Sequence, residues 1–431
     1  MKIISPLVWI MTALTPLSAL AEDAKFSFLK TVSIQDLNTI LDAERRDFIK
    51  NEKFEDGYRL PAASKSKNPV DIYTVHYTTT IPKRNNERIK VSGLLALPKL
   101  DKRSPLPLIA YQHGTVYDRY GVPSYAFKTK TPSPHNHLPE SYENRYMVAL
   151  FGGDGYAVMA ADYVGFGDDA KNNEAYLIKS VSAQASLDLY REVNKFLAQQ
   201  RIGTSNFFLG GWSQGGINTT GFLEQLELQG VNVKAAFTVA SPNDPLASVH
   251  ANLFHPLKTD DEFIGPMLAQ LAFSCETYEA QPGLAKESLN PTYYEKMKSV
   301  YERSYGYQPG DPYALFQMMK DWQDVSSVTF LKDALRTPAA FVNSAFGRCL
   351  ASNATYRQEF KTDLRMYYGN RDIYIRPRVA RLAYDYNLAL NATQLAESEV
   401  KIIPVFVKGG THRLTFITGS VDAKSWMDSL R

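Results

Sequence analysis

A serine set between two glycines at the end of an apolar run is the feature that most limits how this chain can fold. Phe207-Phe208-Leu209 is followed by Gly210-Gly211-Trp212-Ser213-Gln214-Gly215-Gly216, and then by a helix-like segment from Ile217 to Leu228. The apolar run reads as a buried strand. A strand that turns at once into a helix forces its corner residue into a strained backbone conformation. The residues two before and two after the corner, Gly211 and Gly215, must then be small. Such a turn leaves the Ser213 hydroxyl at a sharp corner with a helix N-terminus aimed at it. Because a G-x-S-x-G string also arises by chance, the serine gains meaning only from partners elsewhere in the chain.

The chain has 431 residues, enough for one large domain or two modest ones. Its start does not read as part of the fold. Lys2, an apolar stretch from Ile3 to Leu14, Pro16 and the small-residue sequence Ala19-Leu20-Ala21 follow the order of a secretory signal peptide over 1–21, cut before Glu22. Ser5, Pro6, Thr12 and Thr15 interrupt the stretch, which argues against a membrane anchor. No later run approaches the roughly 18 apolar residues a bilayer span needs, so no stable membrane insertion is expected. Export would place the mature chain in the periplasm or outside the cell. Loss of Lys2 takes the formal net charge from +3 to +2. A balance that near zero, without a dense basic cluster, argues against a nucleic-acid partner. The two cysteines, Cys275 and Cys349, are free to pair in an oxidising compartment; two separate buried thiols are the alternative.

Residues 22–70 read as an N-terminal arm, helical and polar-faced over 26–60. Ser33 with Asp36 resembles a capping box, and Leu37, Ile40 and Leu41 form a helical stripe. Strands follow over 71–80 and 89–97. The run Leu106 to Gln112 is nearly continuous and apolar, as a strand buried on both faces should be. A helix over 143–151, a strand over 156–161 and a helix over 180–199 lead into the serine strand, and 233–240 is a further buried strand. Strands alternating with helices indicate a mostly parallel sheet flanked by helices. The alternation breaks over 244–359, which carries both cysteines and reads as a helical lid. It resumes with strands over 363–368 and 400–407 and a helix over 378–387 between them. The expected plan is one catalytic domain, 71–243 and 360–431, carrying an inserted cap.

A serine hydroxyl is a poor nucleophile unless a base takes its proton, and the base needs an orienting acid. Among seven histidines, His76 lies within a strand, His135 and His137 in a Pro-bearing loop, His250 and His255 at the start of the cap, and His113 at the end of the third strand. His412, in Gly409-Gly410-Thr411-His412, follows a late apolar strand on a glycine-bearing loop and is the candidate base. Asp372, in Tyr368-Gly369-Asn370-Arg371-Asp372, leaves the sheet at the same edge and is the candidate acid. Asp363 is its rival but begins a strand, and Asp162 is expected to hold the loop over 163–167 by local hydrogen bonds. The backbone N–H of Gln214 is one expected oxyanion donor. The second is expected after the third strand, from Thr115 in His113-Gly114-Thr115, with Gly114 its close rival. Tyr163 could line the pocket or simply pack in its turn.

With Tyr111-Gln112-His113-Gly114-Thr115, Gly211-Trp212-Ser213-Gln214-Gly215-Gly216 and Gly410-Thr411-His412, the chain resembles the secreted α/β-hydrolases of the secretory-lipase group and related bacterial esterases. The resemblance covers roughly residues 70–245 and 360–431. It implies an α/β-hydrolase fold and a carboxylic-ester hydrolase with a helical cap, acting on a small-molecule or lipid ester without metal or organic cofactor. The order Ser213, Asp372, His412 fits that fold. A prolyl-oligopeptidase-type peptidase shares the order but needs a large N-terminal domain, for which 22–70 is too short. A catalytically inactive binding module on the same fold is the third reading. The Tyr and Met residues of the cap suit either an apolar substrate pocket or an ordinary core, so acyl chain length stays open.

Overall fold

Among the described residues nine strands form one sheet, and its fully buried strands lie inside it, away from both margins. The computed structural model describes residues 24–101, 104–128, 139–257, 263–304, 312–392 and 400–431. The leader expected over 1–21, with His135 and His137, lies outside the described residues. The strands are β1 (Lys25–Val32), β2 (Val70–Ile81), β3 (Glu87–Pro98), β4 (Leu106–Gln112), β5 (Ala157–Ala161), β6 (Thr204–Trp212), β7 (Ala235–Val239), β8 (Leu364–Gly369) and β9 (Ile402–Val407). Their order across the sheet is β1-β2-β3-β5-β4-β6-β7-β8-β9. From β5 to β9 all neighbours are parallel, and β1, β2 and β3 add an antiparallel margin. Every residue of β4, β5 and β7 is buried, as strands covered on both faces require.

The two faces are filled by different helices. In β4, Leu106, Leu108 and Ala110 enter one core while Ile109 and Tyr111 enter the other, the period of two expected of a strand. Helix α1 (Ile34–Ile49) and helix α2 (Pro139–Phe151) pack on the Tyr111 face. Helix α3 (Lys179–Gln199), with Leu189 and Val193, and helix α4 (Gln214–Leu228), with Phe222 and Leu226, cover the opposite face. The Ser33 hydroxyl accepts the Asp36 N–H at 3.1 Å and starts α1.

Between β7 and β8 stand α5 (Pro245–Phe254), α6 (Ile264–Tyr278), α7 (Leu284–Ser288), α8 (Pro291–Glu302), α9 (Pro312–Asp321), α10 (Pro338–Asn343) and α11 (Ala345–Ser352). Cys275 of α6 and Cys349 of α11 are joined by a disulfide, their Cα atoms 6.1 Å apart. The bridge ties the first long helix of this segment to its last. A sequence separation of 74 corresponds to a stabilisation of about 4 to 5 kcal/mol in the chain-entropy model. Helices α12 (Pro377–Ala380) and α13 (Leu382–Asn391) precede β9, and α14 (His412–Asp428) ends the fold on the α1 and α2 face.

Two expectations are corrected. The helix expected over 26–60 is confined to α1: residues 26–32 are strand and 50–60 are turn and loop, and β1 pairs with β2 at the sheet margin, where a register shift between Phe28 and Lys30 interrupts its alternation. The expected single helix over 378–387 is two, divided at Arg381. Among the described residues no helix is long and apolar enough to cross a membrane. Nor do three or more His, Cys, Asp or Glu side chains among them gather as metal ligands.

Candidate active site

Ser213 sits between β6 and α4 with φ 56° and ψ −122°, outside the regions open to ordinary residues. A conformation of this kind costs about 1 to 3 kcal/mol and must be imposed by its surroundings. The Ser213 N–H donates to the Val239 carbonyl at 2.9 Å and the Gly216 N–H to the Ser213 carbonyl at 2.8 Å. A Cβ at Gly211 would overlap the Gly215 carbonyl, and one at Gly215 would overlap the carbonyls of Gln112 and His113. The glycines therefore let the first turn of α4 lie directly against the end of β4. Helix α4 begins at Gln214, three residues before the helical signal in the sequence.

Asp372 and His412 meet from separate loops at the carboxyl edge of the sheet. His412 Nδ1 is 2.8 Å from Asp372 Oδ2. The other carboxylate oxygen accepts the N–H groups of Tyr374 and Ile375, each at 2.9 Å. A carboxylate only accepts, so Nδ1 carries the proton of a neutral His412 and Nε2 keeps its lone pair. Asp372 is 5% and His412 8% exposed. The imidazole lies between the rings of Trp212, at 4.9 Å, and Tyr374, at 5.2 Å. The Trp212 indole N–H reaches the His412 carbonyl at 3.3 Å. The histidine is thus held against the residue that precedes Ser213. Among the described residues no hydrogen bond joins the Ser213 hydroxyl to His412. Asp363 precedes β8 at the opposite edge, 3.7 Å from Lys401.

The loop after β4 packs on the elbow from the other side. Gly114 lies so close to Trp212 that a Cβ would meet the indole ring, and its N–H donates to Glu143 Oε1 at 2.8 Å. The Gly114 donor is therefore taken. Among the described residues neither the Thr115 nor the Gln214 main-chain N–H has an acceptor. The Thr115 hydroxyl is 3.1 Å from the Tyr176 hydroxyl. His113 is buried, its imidazole 2.8 Å from the Gly114 carbonyl, and burial lowers its pKa to about 4. It is a neutral structural histidine. Tyr163 stacks on it at 4.2 Å and donates to its carbonyl at 3.0 Å, so Tyr163 packs in its turn. Asp162 does not hold the 163–167 loop locally. Its carboxylate accepts from the Ser92 hydroxyl at 2.6 Å and the Ser124 N–H at 2.8 Å, and Asp169 accepts the Gly165 N–H at 2.9 Å.

Three buried charged residues near the site carry no sequence signal. Glu143 of α2 accepts from the Tyr111 hydroxyl as well as from Gly114. Glu174, with no exposed surface, accepts from the Gln214 side-chain amide at 2.8 Å. Arg303, 2% exposed, approaches Glu174 Oε2 to 3.7 Å. Burial raises the Glu174 pKa to about 7 against the opposing pull of Arg303 and Gln214. No pattern marks these residues, because a lone Glu or Arg between elements is usually solvated.

A mostly parallel sheet flanked by helices on both faces, with a strained serine after β6, an acid after β8 and a histidine after β9, defines the α/β-hydrolase fold, and this chain adopts it. No protein-family model matches the sequence, and no curated protein matches it. Solved structures match the fold. A Legionella pneumophila protein described as a hydrolase is 18% identical, with TM-score 0.72, over 94% of this chain and 97% of its own. The rice cell wall degrading esterase LipA of Xanthomonas oryzae is 16% identical, also with TM-score 0.72, over 94% of this chain and 98% of its own. Candida antarctica lipase A is 15% identical with TM-score 0.58, over 85% of this chain and 82% of its own.

Proposed function

We propose that the protein is an exported serine hydrolase that cleaves carboxylic esters, with Ser213 as nucleophile, His412 as base and Asp372 as the acid that orients it. The observation that carries the reading is the 2.8 Å Asp372–His412 hydrogen bond beside a serine held at φ 56°. Support also comes from fold neighbours that are an esterase and a lipase. Residues 1–21 are read as a cleaved leader, and the Cys275–Cys349 disulfide suits an oxidising compartment. Residues 244–359 are read as a cap that admits a small-molecule or lipid ester.

In the reaction His412 Nε2 takes the Ser213 proton as Oγ attacks the acyl carbon. The tetrahedral oxyanion is held by the main-chain N–H groups of Gln214 and Thr115. His412 then gives the proton to the leaving alcohol as the carbon–oxygen bond breaks, leaving an acyl-serine. Water, deprotonated by the same imidazole, attacks the acyl-serine; the acid departs and Ser213 regains its proton. Asp372 fixes the tautomer and stabilises the transient imidazolium. Ser213 and His412 draw within hydrogen-bond distance when substrate is bound, since catalytic hydrogen bonds often tighten only in the complex.

The test is labelling by a fluorophosphonate together with hydrolysis of p-nitrophenyl esters of two to sixteen carbons. Labelling of the parent, its loss in Ser213→Ala, and a fall in kcat of about 10⁶ are expected. A folded Ser213→Ala protein that cleaves these esters at the parent rate removes the assignment.

A further inference from the structure

The segment from Asn173 to Tyr176 touches both oxyanion residues and is gripped by the 244–359 insertion. On the site side, Glu174 Oε1 accepts the Gln214 side-chain amide at 2.8 Å, and the Tyr176 hydroxyl lies 3.1 Å from that of Thr115. On the other side, the Ser274 hydroxyl of α6 donates to the Glu174 carbonyl and accepts the Tyr176 N–H, each at 2.9 Å. One turn further along α6 the Tyr278 hydroxyl donates to the Asn173 carbonyl. Arg303, just after α8, donates to the carbonyls of Tyr117 at 3.2 Å and Gly165 at 3.1 Å. Its guanidinium lies 4.1 Å from the centre of the Phe166 ring. From that fixed position it faces the Glu174 carboxylate.

This cluster is a poor stabilising device. Glu174 Oε2, Arg303 Nη2 and Gln214 Oε1 are buried without a hydrogen-bond partner among the described residues. The two charges face each other at 3.7 Å, within Coulombic reach but too far for a hydrogen bond. Buried ion pairs seldom improve on apolar packing, and each unsatisfied buried group costs about 1 to 3 kcal/mol. The arrangement gains its sense from Gln214. This residue opens α4, and its main-chain N–H must point at the oxyanion; a side chain locked by Glu174 fixes that first turn. A bare carboxylate so near a developing oxyanion would oppose it, and Arg303 supplies the compensating charge.

We propose that Glu174 is a positioning residue for ester hydrolysis: it holds the Gln214 side chain, with Ser274 of the insertion holding the Glu174 main chain and Arg303 offsetting its charge, so that seating of the insertion and formation of the oxyanion hole are coupled. The proposal rests on the ester-hydrolase reading. It asks that transition-state stabilisation fall when the link is cut, with ground-state binding left alone.

The experiment compares three variants with the full-length parent, using p-nitrophenyl acetate and a boronic acid that mimics the tetrahedral intermediate. Glu174→Leu with Arg303→Met removes both charges and leaves none unpaired. Its kcat should fall about 10- to 100-fold with KM within about twofold, and boronic-acid affinity should fall in parallel. Glu174→Gln with Arg303→Met restores an amide oxygen for Gln214 without charge, and kcat should return to within about threefold of the parent. Gln214→Met keeps both charges and the main-chain N–H. It should reproduce the loss even if the first variant folds poorly. Parent-like kcat in the first variant or in Gln214→Met overturns the proposal, as does a Gln/Met double variant as slow as the Leu/Met one. Fluorophosphonate labelling of parent Ser213 separates this failure from failure of the ester-hydrolase reading, which an unlabelled and inactive parent would remove.

Discussion

On one flank of Ser213, His412 stands between two aromatic rings, and one of them, Tyr374, is 42% exposed. On the other flank, Glu143, Glu174 and Arg303 lie in the interior and bond to main-chain and side-chain groups around the elbow. The difference follows from the work proposed for each side. A base has to pass protons to an alcohol and from a water; His412 is oriented by Asp372 and by the Trp212 indole, and the Tyr374 ring beside it reaches solvent. Oxyanion donors work best when fixed beforehand and shielded from water, because reorganisation at the moment of reaction weakens them. That side is accordingly built from buried carboxylates, Glu143 on the Gly114 N–H and Glu174 on the Gln214 side-chain amide.

The largest break in this comparison should come from Asp372→Asn. An amide in place of the carboxylate offers Nδ1 an uncertain partner and permits the wrong tautomer, and kcat should drop by about 10⁴. Circular dichroism should find the fold intact. A drop below tenfold in steady-state assays shifts the orienting role elsewhere. On the opposite flank, Glu143→Ala releases the Gly114 N–H and the Tyr111 hydroxyl together. The neighbouring Thr115 N–H then loses its aim, and kcat should fall about 10²-fold with KM little changed. An equal rise in KM would make Glu143 a substrate contact instead.

The seam between the flanks can be broken without touching either. A methyl at Gly215 would push the first turn of α4 away from the Gln112 and His113 carbonyls. Gly215→Ala should destabilise by about 1 to 3 kcal/mol, despite the better helix propensity of alanine. It should also slow turnover while leaving the Asp372–His412 hydrogen bond intact. The low-field Nδ1 proton resonance reads that bond, and its disappearance would mean that the two flanks are not separable.

The same contrast explains what the sequence reveals. Parallel strands buried on both faces are apolar runs, and Leu106–Gln112 reads at its observed bounds for that reason. Ser213, Asp372 and His412 each follow a strand on a glycine-bearing loop, although β8 carries Arg365 and β9 exposes Ile403 and Phe406, so their order and edge can be inferred before their contacts are seen. The margin of the sheet is harder. β1 is half exposed and its alternation shifts between Phe28 and Lys30, so the helical stripe of α1 next to it dominates the pattern. The oxyanion flank is harder still. Glu143 lies in a polar helix start and Glu174 between turns, and only the three-dimensional fold removes them from water. The sequence already favours Thr115 over Gly114 as the second donor, and the Gly114 N–H bonded to Glu143 supports that choice.

The smallest effect expected is in the pH dependence of stability, where two buried groups of the oxyanion flank oppose each other. The His113 pKa is lowered from 6.5 to about 4 by burial. Its stabilisation is present above pH 6.5 and is lost as pH falls towards 4, because the unfolded chain then binds a proton that the fold excludes. The Glu174 pKa is raised from 4.5 to about 7, again by burial. Its contribution is present below pH 4.5 and is lost as pH rises through 7, because the folded carboxyl must release a proton that the unfolded one has already lost. Between pH 4.5 and 6.5 the two slopes have opposite sign and partly cancel. Replacing Glu174 by Gln, with Arg303→Met to avoid a lone charge, removes only the second slope. Relative to the parent, the variant should therefore gain stability from about pH 4.5 to pH 7 and level off above it, seen as a Tm difference that changes by a few degrees over that range. A Tm difference that stays constant over that range would mean that Glu174 remains in one protonation state throughout, and that the charge facing Arg303 is fixed.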